Sequence, residues 1–335
     1  MTGVSFVLRG LWFFRSSYLG VLAGAALGAM VLLGALLAGD SVKATLRQVA
    51  AARLGKVDSV LVGGDRLFRS ALADDLAAED VAAAPVLLVQ ATASVQRSGR
   101  ALGGVQVLGV DRRFWRLRPG AAGDDGFGGP LDRGFFVNEH LSRSLNLGSA
   151  ETLVLRFEKP GLIARDAPLA GKAAELVALR GDVSKTCGDA DFGRFSLATT
   201  QLPQATVFVP IGRLQKVLGL EGKANLLLMH DPRQRGHAEL LRSVTRHCTL
   251  EDYGLSVEEV PLAKAVEVRT TRIFFDRQVA AAIQQRFPAA QPVITYLANT
   301  IAANGKETPY SMVTAVDAAA APFLPEKSDG VVLNA

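Results

Sequence analysis

From Ser16 to Gly39 the chain carries no charge, and the run "YLGVLAGAALGAMVLLGALLAGD" (Tyr18–Asp40) is apolar almost throughout. The 24 residues between Arg15 and Asp40 predict a helix that, at 1.5 Å per residue, crosses the roughly 30 Å hydrocarbon core of a bilayer with length to spare. A cleaved signal peptide has an apolar region of only about 7–15 residues and a small-x-small cut site. "ALLAGD" offers no such site, and Asp40 stands where a lipoprotein would need cysteine. The segment is an anchor by its pattern. Gly20, Gly24 and Gly28 recur every fourth residue along it. Small residues at that spacing let helix backbones approach closely in lipid, where packing holds helices together. They mark a helix-packing face in a chain with no second apolar run.

Ahead of the anchor, "VSFVLRGLWFFRSSY" mixes Phe6, Trp12, Phe13, Phe14 and Tyr18 with two arginines. Residues 1–15 read as an amphipathic segment at the cytoplasmic interface or as a plain aromatic belt. After Asp40, "SVKATLRQVAAARLG" sets Val42, Leu46, Val49 and Leu54 on one helical face, so the helix continues outward. Lys43, Arg47, Arg53 and Lys56 follow the anchor as Arg9 and Arg15 precede it, so charge alone leaves orientation open. Long domains translocate largely regardless of charge, which places the bulk of the chain outside the cytoplasm.

Beyond residue 56 short apolar runs alternate irregularly with helical patterns. "DSVLVG", "APVLLVQATASVQ" and "GGVQVLGVD" read as strands, with a helix in "RLFRSALADDLAAED". "GAAGDDGFGGP" (120–130) is a loop by composition. "GFFVNEHLSRSLNLG" reads as a strand, a helix capped by Asn138, and a stop at Gly148. Strands in "ETLVLRFE" and "AELVALRGDV" lead to "QATVFVPIGRLQKVLGLEGKANLLLMHD", which reads strand, helix, strand. A helix in "RGHAELLRSVTRHC", a strand in "LSVEEV", a helix in "FDRQVAAAIQQRF" and strands in "PVITYLANTIA" and "YSMVTAV" complete the pattern. The class is mixed α+β without a regular βαβ series. Residues 40–328 form one extracytoplasmic region of two subdomains, the second at roughly 130–250. "DGVVLNA" (329–335) repeats "RGFFVNE" (133–139) and reads as the start of a truncated repeat in a longer polypeptide.

Composition narrows the function. The 335 residues are 21% charged, with mean hydropathy +0.23 and net charge +5. Lys and Arg are interspersed with Asp and Glu, with no basic block carrying interleaved aromatics, which argues against nucleic acid. The two cysteines, Cys187 and Cys248, exclude a disulfide-dense scaffold. A single disulfide between them is one reading for an extracytoplasmic domain; two unpaired small residues is the other.

Catalytic signatures are missing. A phosphate loop, G-x-x-x-x-G-K-[ST], would need a glycine where Asp166, Val217 and Thr300 precede the three Gly-Lys pairs. There is no G-x-S-x-G and no H-E-x-x-H. His230, His237, His247 and Cys248 match no zinc spacing, and Asp124-Asp125 reads as a turn. Asp74-Asp75 and Glu79-Asp80 read as a solvated helix face. The chain is read as non-enzymatic, holding no metal and no cofactor.

Three stretches carry a resemblance: "LLGALLAGDSVKATL" at the helix exit, "VLGVDRRFWRL" (107–117) and "FFVNEHLSRSLNLGSAETLVL" (135–155). Together with "VFVPIGRLQKVLG" (207–219) and "ETPYSMVTAVD" (307–317), they resemble the extracytoplasmic core region of MacB/FtsX-type ABC transporter permeases. The match covers most of the chain, least of all 156–205, with Ser142 at the family's usual Ala and Glu151 near its usual Asp. The resemblance implies a permease subunit in the bacterial inner membrane, with a cytoplasmic N-terminus and further membrane helices. It also implies homo- or heterodimers and a partner ATPase that binds the ATP. Nucleotide-driven movement would pass through the helices to the outside domain (mechanotransmission), in export or lipoprotein handling. The Gly20/Gly24/Gly28 face would pack on the other helices. A single-pass anchored binding or scaffold module is the alternative.

Overall fold

The computed structural model describes residues 3–64, 66–119, 121, 134–148, 151–158, 176–198, 203–261, 264–270, 272 and 274–316. It opens with α1 (Gly3–Phe13) and α2 (Arg15–Leu54), so the expected continuation of the anchor past Asp40 is present as one element of 40 residues. Next come β1 (Ser59–Val62), β2 (Phe68–Arg69), α3 (Leu72–Ala77), β3 (Ala82–Val95), β4 (Ala101–Val110) and α4 (Arg112–Arg116). The middle holds β5 (Gly134–Asn138), α5 (Glu139–Leu145), β6 (Thr152–Glu158), β7 (Leu176–Cys187), β8 (Thr206–Pro210) and α6 (Ile211–Leu218). There follow β9 (Lys223–Ala224), β10 (Leu226–His230), α7 (His237–His247), β11 (Leu255–Val260) and β12 (Ala265–Thr270). The last elements are α8 (Arg277–Arg286), β13 (Val293–Ala303) and β14 (Lys306–Val316). The mixed α+β class is as expected.

Eight strands form one sheet in the order β1-β10-β3-β4-β8-β5-β7-β6, and β6 turns back to pair with β3. The six strands from β3 to β6 thereby close into a small barrel, with β10 and β1 extending from it. The 14-residue β3 makes this branching geometry feasible. Its Ala82–Val86 half pairs with β10, its Thr92–Val95 half with β6, and its other edge with β4. A register shift between Ala91 and Ala93 lies at the change of partner, where a bulge bends a strand. β3 and β4 precede residue 130 yet pair with β6 and β8, which follow it, so a division at 130 does not divide this sheet.

Alternation decides which side chains face inward. In β5, Phe135 and Val137 enter the barrel core while Phe136 points to a second cluster outside it. Leu153, Leu155 and Phe157 of β6 fill the same interior, joined by Leu141 and Leu145 of α5 and by Leu214 and Leu218 of α6. A small barrel is packed solid in this way rather than left as a pore. The second cluster is aromatic. Phe114 of α4 lies 4.8 Å from Phe192 and 5.8 Å from Phe208, ring centre to ring centre, and Trp115 lies 5.1 Å from Phe208. A third cluster seats α3 (Leu72, Leu76) and α7 (Leu240, Val244) against Leu227 and Met229 of β10.

Several local expectations are corrected. α5 stops at Asn146, which adopts the left-handed conformation (φ 49°), and not at Gly148. Asparagine tolerates that backbone better than other residues with a side chain, so the nearer Asn ends the helix first. The helix in residues 66–80 is shortened to Leu72–Ala77, because Phe68 and Arg69 pair with Ala224 and Lys223. "AVEVRT" supplies the unforeseen β12, which pairs antiparallel with β11. Cys187 and Cys248 are unbridged in this structure. They belong to different cores: Cys187 lies among Phe114 and Trp115, whereas Cys248 packs against the cluster of Leu240 and Val244. The 120–130 loop with Asp124-Asp125 (Ala121 apart), residues 159–175 and 199–202 of the insert and the 329–335 repeat lie outside the described residues.

Candidate functional site at the helix–barrel junction

α2 is about 60 Å long at 1.5 Å per residue. It is long and apolar enough by length and composition to cross a membrane, and none of its most apolar stretch is buried by the rest of the chain. A helix apolar on all sides needs either a protein interior or lipid around it. Added Cβ atoms at Gly20, Gly24 and Gly28 would meet nothing within 4 Å, so the glycine face is open among the described residues. Farther along, Val42, Leu46 and Val49 are also exposed, while Leu54 packs against the aromatic cluster. At the other end, α1 meets α2 through aromatic contacts. The Arg15 guanidinium lies 5.0 Å from the Trp12 ring centre, and Phe13 and Phe14 meet edge to face at 4.9 Å. Leu8, Arg9, Trp12, Phe13 and Arg15 line a shallow groove there.

Where α2 ends, the chain is locked to the barrel. Gly55 takes φ +58°, and a Cβ there would overlap the Leu117 carbonyl oxygen and lie 2.9 Å from the Arg118 carbonyl carbon. Only glycine fits both the backbone and the space. The next residue doubles the attachment: the Lys56 N–H donates to the Leu117 carbonyl at 2.8 Å, and its Nζ donates to the Ala121 carbonyl at 2.6 Å. Val57 is buried in the aromatic cluster, and the Asp58 N–H donates to the Met229 carbonyl at 2.9 Å. Four consecutive residues thus tie the helix to the segment after α4 and to β10.

A polar chain continues from Asp58. Its Oδ2 lies 2.7 Å from His230 Nδ1 and accepts from the Asp231 N–H at 2.9 Å. Buried Asp231 accepts from Arg235 Nε and Nη2, both at 3.0 Å, and from the backbone N–H groups of Arg233 and Arg235. These donors, the Arg235 side chain first, hold the Asp231 carboxyl at about 2. Arg235 also approaches Glu79, which pairs with Arg246 at 2.7 Å and His247 at 3.0 Å. The Ser243 hydroxyl, then His247 and Arg246, pull Glu79 down to about 2. The acidic residues read as a wet helix face are therefore tied to bases: Asp74 to Arg113, Asp75 to Arg69, Glu79 to α7 and Asp80 to Arg233. For Glu79 the reason is that α7 packs on α3 and presents Arg246 and His247 of its last turn; the other three acids meet bases of α4, of β2 and of the segment before α7.

The histidines are used in the same way. His230 and His247 face Asp58 and Glu79, and no group of His, Cys, Asp or Glu among the described residues could hold a metal ion. Asn138 has a structural duty. Its Oδ1 accepts from the Leu141 and Thr206 N–H groups at 3.0 and 3.1 Å, and its Nδ2 donates to the Gly193 and Gln204 carbonyls at 2.9 and 2.8 Å. Every bond it can make is made inside the fold, leaving nothing for a ligand. Sequence reasoning missed the junction. A glycine directly after a helical run, as in "RLG" before Lys56, was the available signal.

No family model and no curated protein matches the chain by sequence. Among solved structures, it is similar to the periplasmic region of MacB from Actinobacillus actinomycetemcomitans, at 8% identity and TM-score 0.34, over 68% of this chain and 95% of that one. It is also similar to the extracellular domain of YknZ, a noncanonic ABC-type transporter from Gram-positive bacteria. There the identity is 8% and the TM-score 0.33, over 63% of this chain and 100% of that one.

Proposed function

We propose that the chain is the anchor and extracytoplasmic domain of an ABC-type permease, in which movement at the membrane is passed to the barrel through α2. One observation carries the reading: α2 runs unbroken from Arg15 to Leu54 and is fixed at its far end through Gly55, Lys56, Val57 and Asp58. A rigid rod clamped at one end transmits tilt and rotation, where a flexible linker would lose them. The sequence resemblance to MacB/FtsX-type permeases supplies the context. The N-terminus lies in the cytoplasm and the barrel lies outside. The Gly20/Gly24/Gly28 face receives further helices of the permease, and the pair of subunits works with a cytoplasmic ATPase that binds the nucleotide. Export and lipoprotein handling are the fields in which such coupling is used. The chain itself performs no catalysis in this scheme.

The test uses the protein in native membranes. An ATPase should co-purify with it, and spectroscopic labels on the barrels of two subunits should change separation when ATP is added. Replacing Gly20, Gly24 and Gly28 together by leucine should abolish that change while the barrel keeps its melting temperature. If no ATPase co-purifies, or the triple variant responds to ATP as the parent does, the reading is wrong.

A further inference from the structure

The hairpin β13–β14 stands apart from the main sheet as a two-stranded sheet of its own among the described residues. An isolated two-stranded hairpin is marginal in water at best. Yet Val293, Ile294, Tyr296 and Met312 are 47–66% exposed on its two faces. The β3–β4 hairpin shows what this hairpin is equivalent to. Aligning Pro85-Val86 with Pro292-Val293 also brings Ala91 to Ala298, and with the second hairpin one residue shorter around its turn Val107 meets Val313, Val110 meets Val316 and Asp111 meets Asp317.

The backbone follows the alignment. Five consecutive cross-strand pairs from Leu87/Gly109 to Ala91/Val105 have the same register as those from Ile294/Ala315 to Ala298/Ser311. Beyond these pairs the two ladders part: the first shifts register, passing Thr92 opposite Gly103 and Gly104, whereas the second passes Asn299 opposite Tyr310 and keeps its register. Left-handed backbone falls at matching places: Gly99 (φ 70°) with Gly305 (φ 74°), and Gly104 (φ 67°) with Tyr310 (φ 53°). A left-handed tyrosine is uncommon and costs energy, so its coincidence with Gly104 points to an inherited path of the chain. The sequence beyond β14 keeps the order of the first copy. Asp317 stands where Asp111 caps α4, and "GVVLN" (330–334) stands where "GFFVN" forms β5.

We propose that residues 292–316 are the first hairpin of a second copy of the barrel, whose open edges take strands supplied by the same polypeptide. The first copy specifies which strands. β4 receives β8 in parallel along Gln106–Val110, and β3 receives β6 antiparallel along Thr92–Val95. The matching edges are Met312–Val316 of β14 and Asn299–Ala302 of β13. A β8-like strand covers the former and a β6-like strand the latter. Leu87 and Val86 are fully buried in the first copy, whereas their counterparts Ile294 and Val293 are 47% and 55% exposed. The missing strands and the elements packed on them account for that difference. This inference does not rest on the transport reading.

Hydrogen exchange tests it. The 335-residue chain is compared with the natural polypeptide read on in frame by as many residues as separate Gly134 from His230. The amides of Met312–Val316 and Asn299–Ala302 should exchange on the order of 100-fold more slowly in the longer protein. Unchanged rates overturn the proposal, as does an in-frame stop directly after Ala335. Protection that appears in the 335-residue chain only as its concentration rises would show two copies pairing edge to edge, and overturns it too. Grafting residues 292–316 in place of 85–110 gives independent support if the chain still unfolds cooperatively while a shuffled insert does not. A graft that behaves like the shuffled insert counts against equivalence.

Discussion

Leu27, Met30 and Leu33 of α2 are 58–68% exposed, whereas Leu87, Leu108 and Leu155 of the barrel have no exposed surface. The residue types hardly differ; the surroundings do. Barrel residues sit at period two, so each strand divides its side chains between the interior and an outer cluster. α2 has no such division between Ser16 and Gly39. Nothing among the described residues buries that stretch, while the barrel is stabilised by its own core.

The sharpest way to break this comparison is to remove one large side chain from each region. Phe114→Ala should destabilise the barrel by about 3–5 kcal/mol, since the ring is fully buried among Trp115, Phe192, Phe195 and Phe208. Leu27→Ala in α2 should leave the barrel's melting temperature in detergent unchanged. Thermal unfolding followed by near-ultraviolet circular dichroism checks both. An equal loss from Leu27→Ala would mean that the two regions fold as one.

Next in size is the joint between them. Gly55→Val forces a β-branched residue into left-handed backbone at a cost of roughly 1–3 kcal/mol. It also drives a Cβ into the Leu117 carbonyl. The barrel's other clusters do not involve Gly55, so the variant should lower the melting temperature moderately and free the end of α2. Proteolysis near Lys56 should accelerate. A variant that melts like the parent and resists protease would remove the clamp from the mechanism.

These two regions were unequally legible in the sequence. The long apolar helix, the α5 cap at Asn138 and the strands β3, β5, β6 and β8 follow from local pattern, because period and capping chemistry are written in consecutive residues. The closure of β6 on β3 joins residues about sixty positions apart and leaves no local trace. The ion pairs of Glu79 with Arg246 and His247 have the same character, since the partners lie in α7. The Gly55 clamp was half visible. The glycine marks the helix end, but its necessity comes from Leu117, on a different segment. The repeated hairpin was legible in principle, yet Gly104 and Tyr310 share no chemistry, and only their shared backbone angle shows the match.

A smaller effect separates the polar chain below the junction from the apolar core above it. Glu79 and Asp231 are held at about 2, below their ordinary values of 4.5 and 3.8. Carboxylates lowered in the folded state stabilise it above their ordinary pKa, and that contribution fades as pH falls through the folded value. The barrel's melting temperature should therefore be level above pH about 5 and decline steadily towards pH 2. Glu79→Gln should lower the neutral-pH plateau and flatten the acid slope. A slope identical to the parent's would show that Glu79 does not carry the linkage.

The smallest effect concerns the two thiols, which report on the core without changing stability. Burial among aromatic rings pushes the Cys187 thiol up to about 12, and burial, with nearby Asp252, raises Cys248 as well. The thiolate is the reactive form, so both should label slowly at neutral pH. They should also separate. Cys248 is half-buried at the end of α7, so fraying of that helix exposes it, whereas Cys187 becomes accessible only when the aromatic cluster opens. Timed labelling with a maleimide, read by peptide mass, should show Cys248 first and Cys187 at the rate of global unfolding. Equal rates would mean that the clusters around α7 and α4 open as one unit. A linked Cys187–Cys248 peptide, lighter by two hydrogens, would mean that the two cores approach closely enough in the oxidised protein to be bridged.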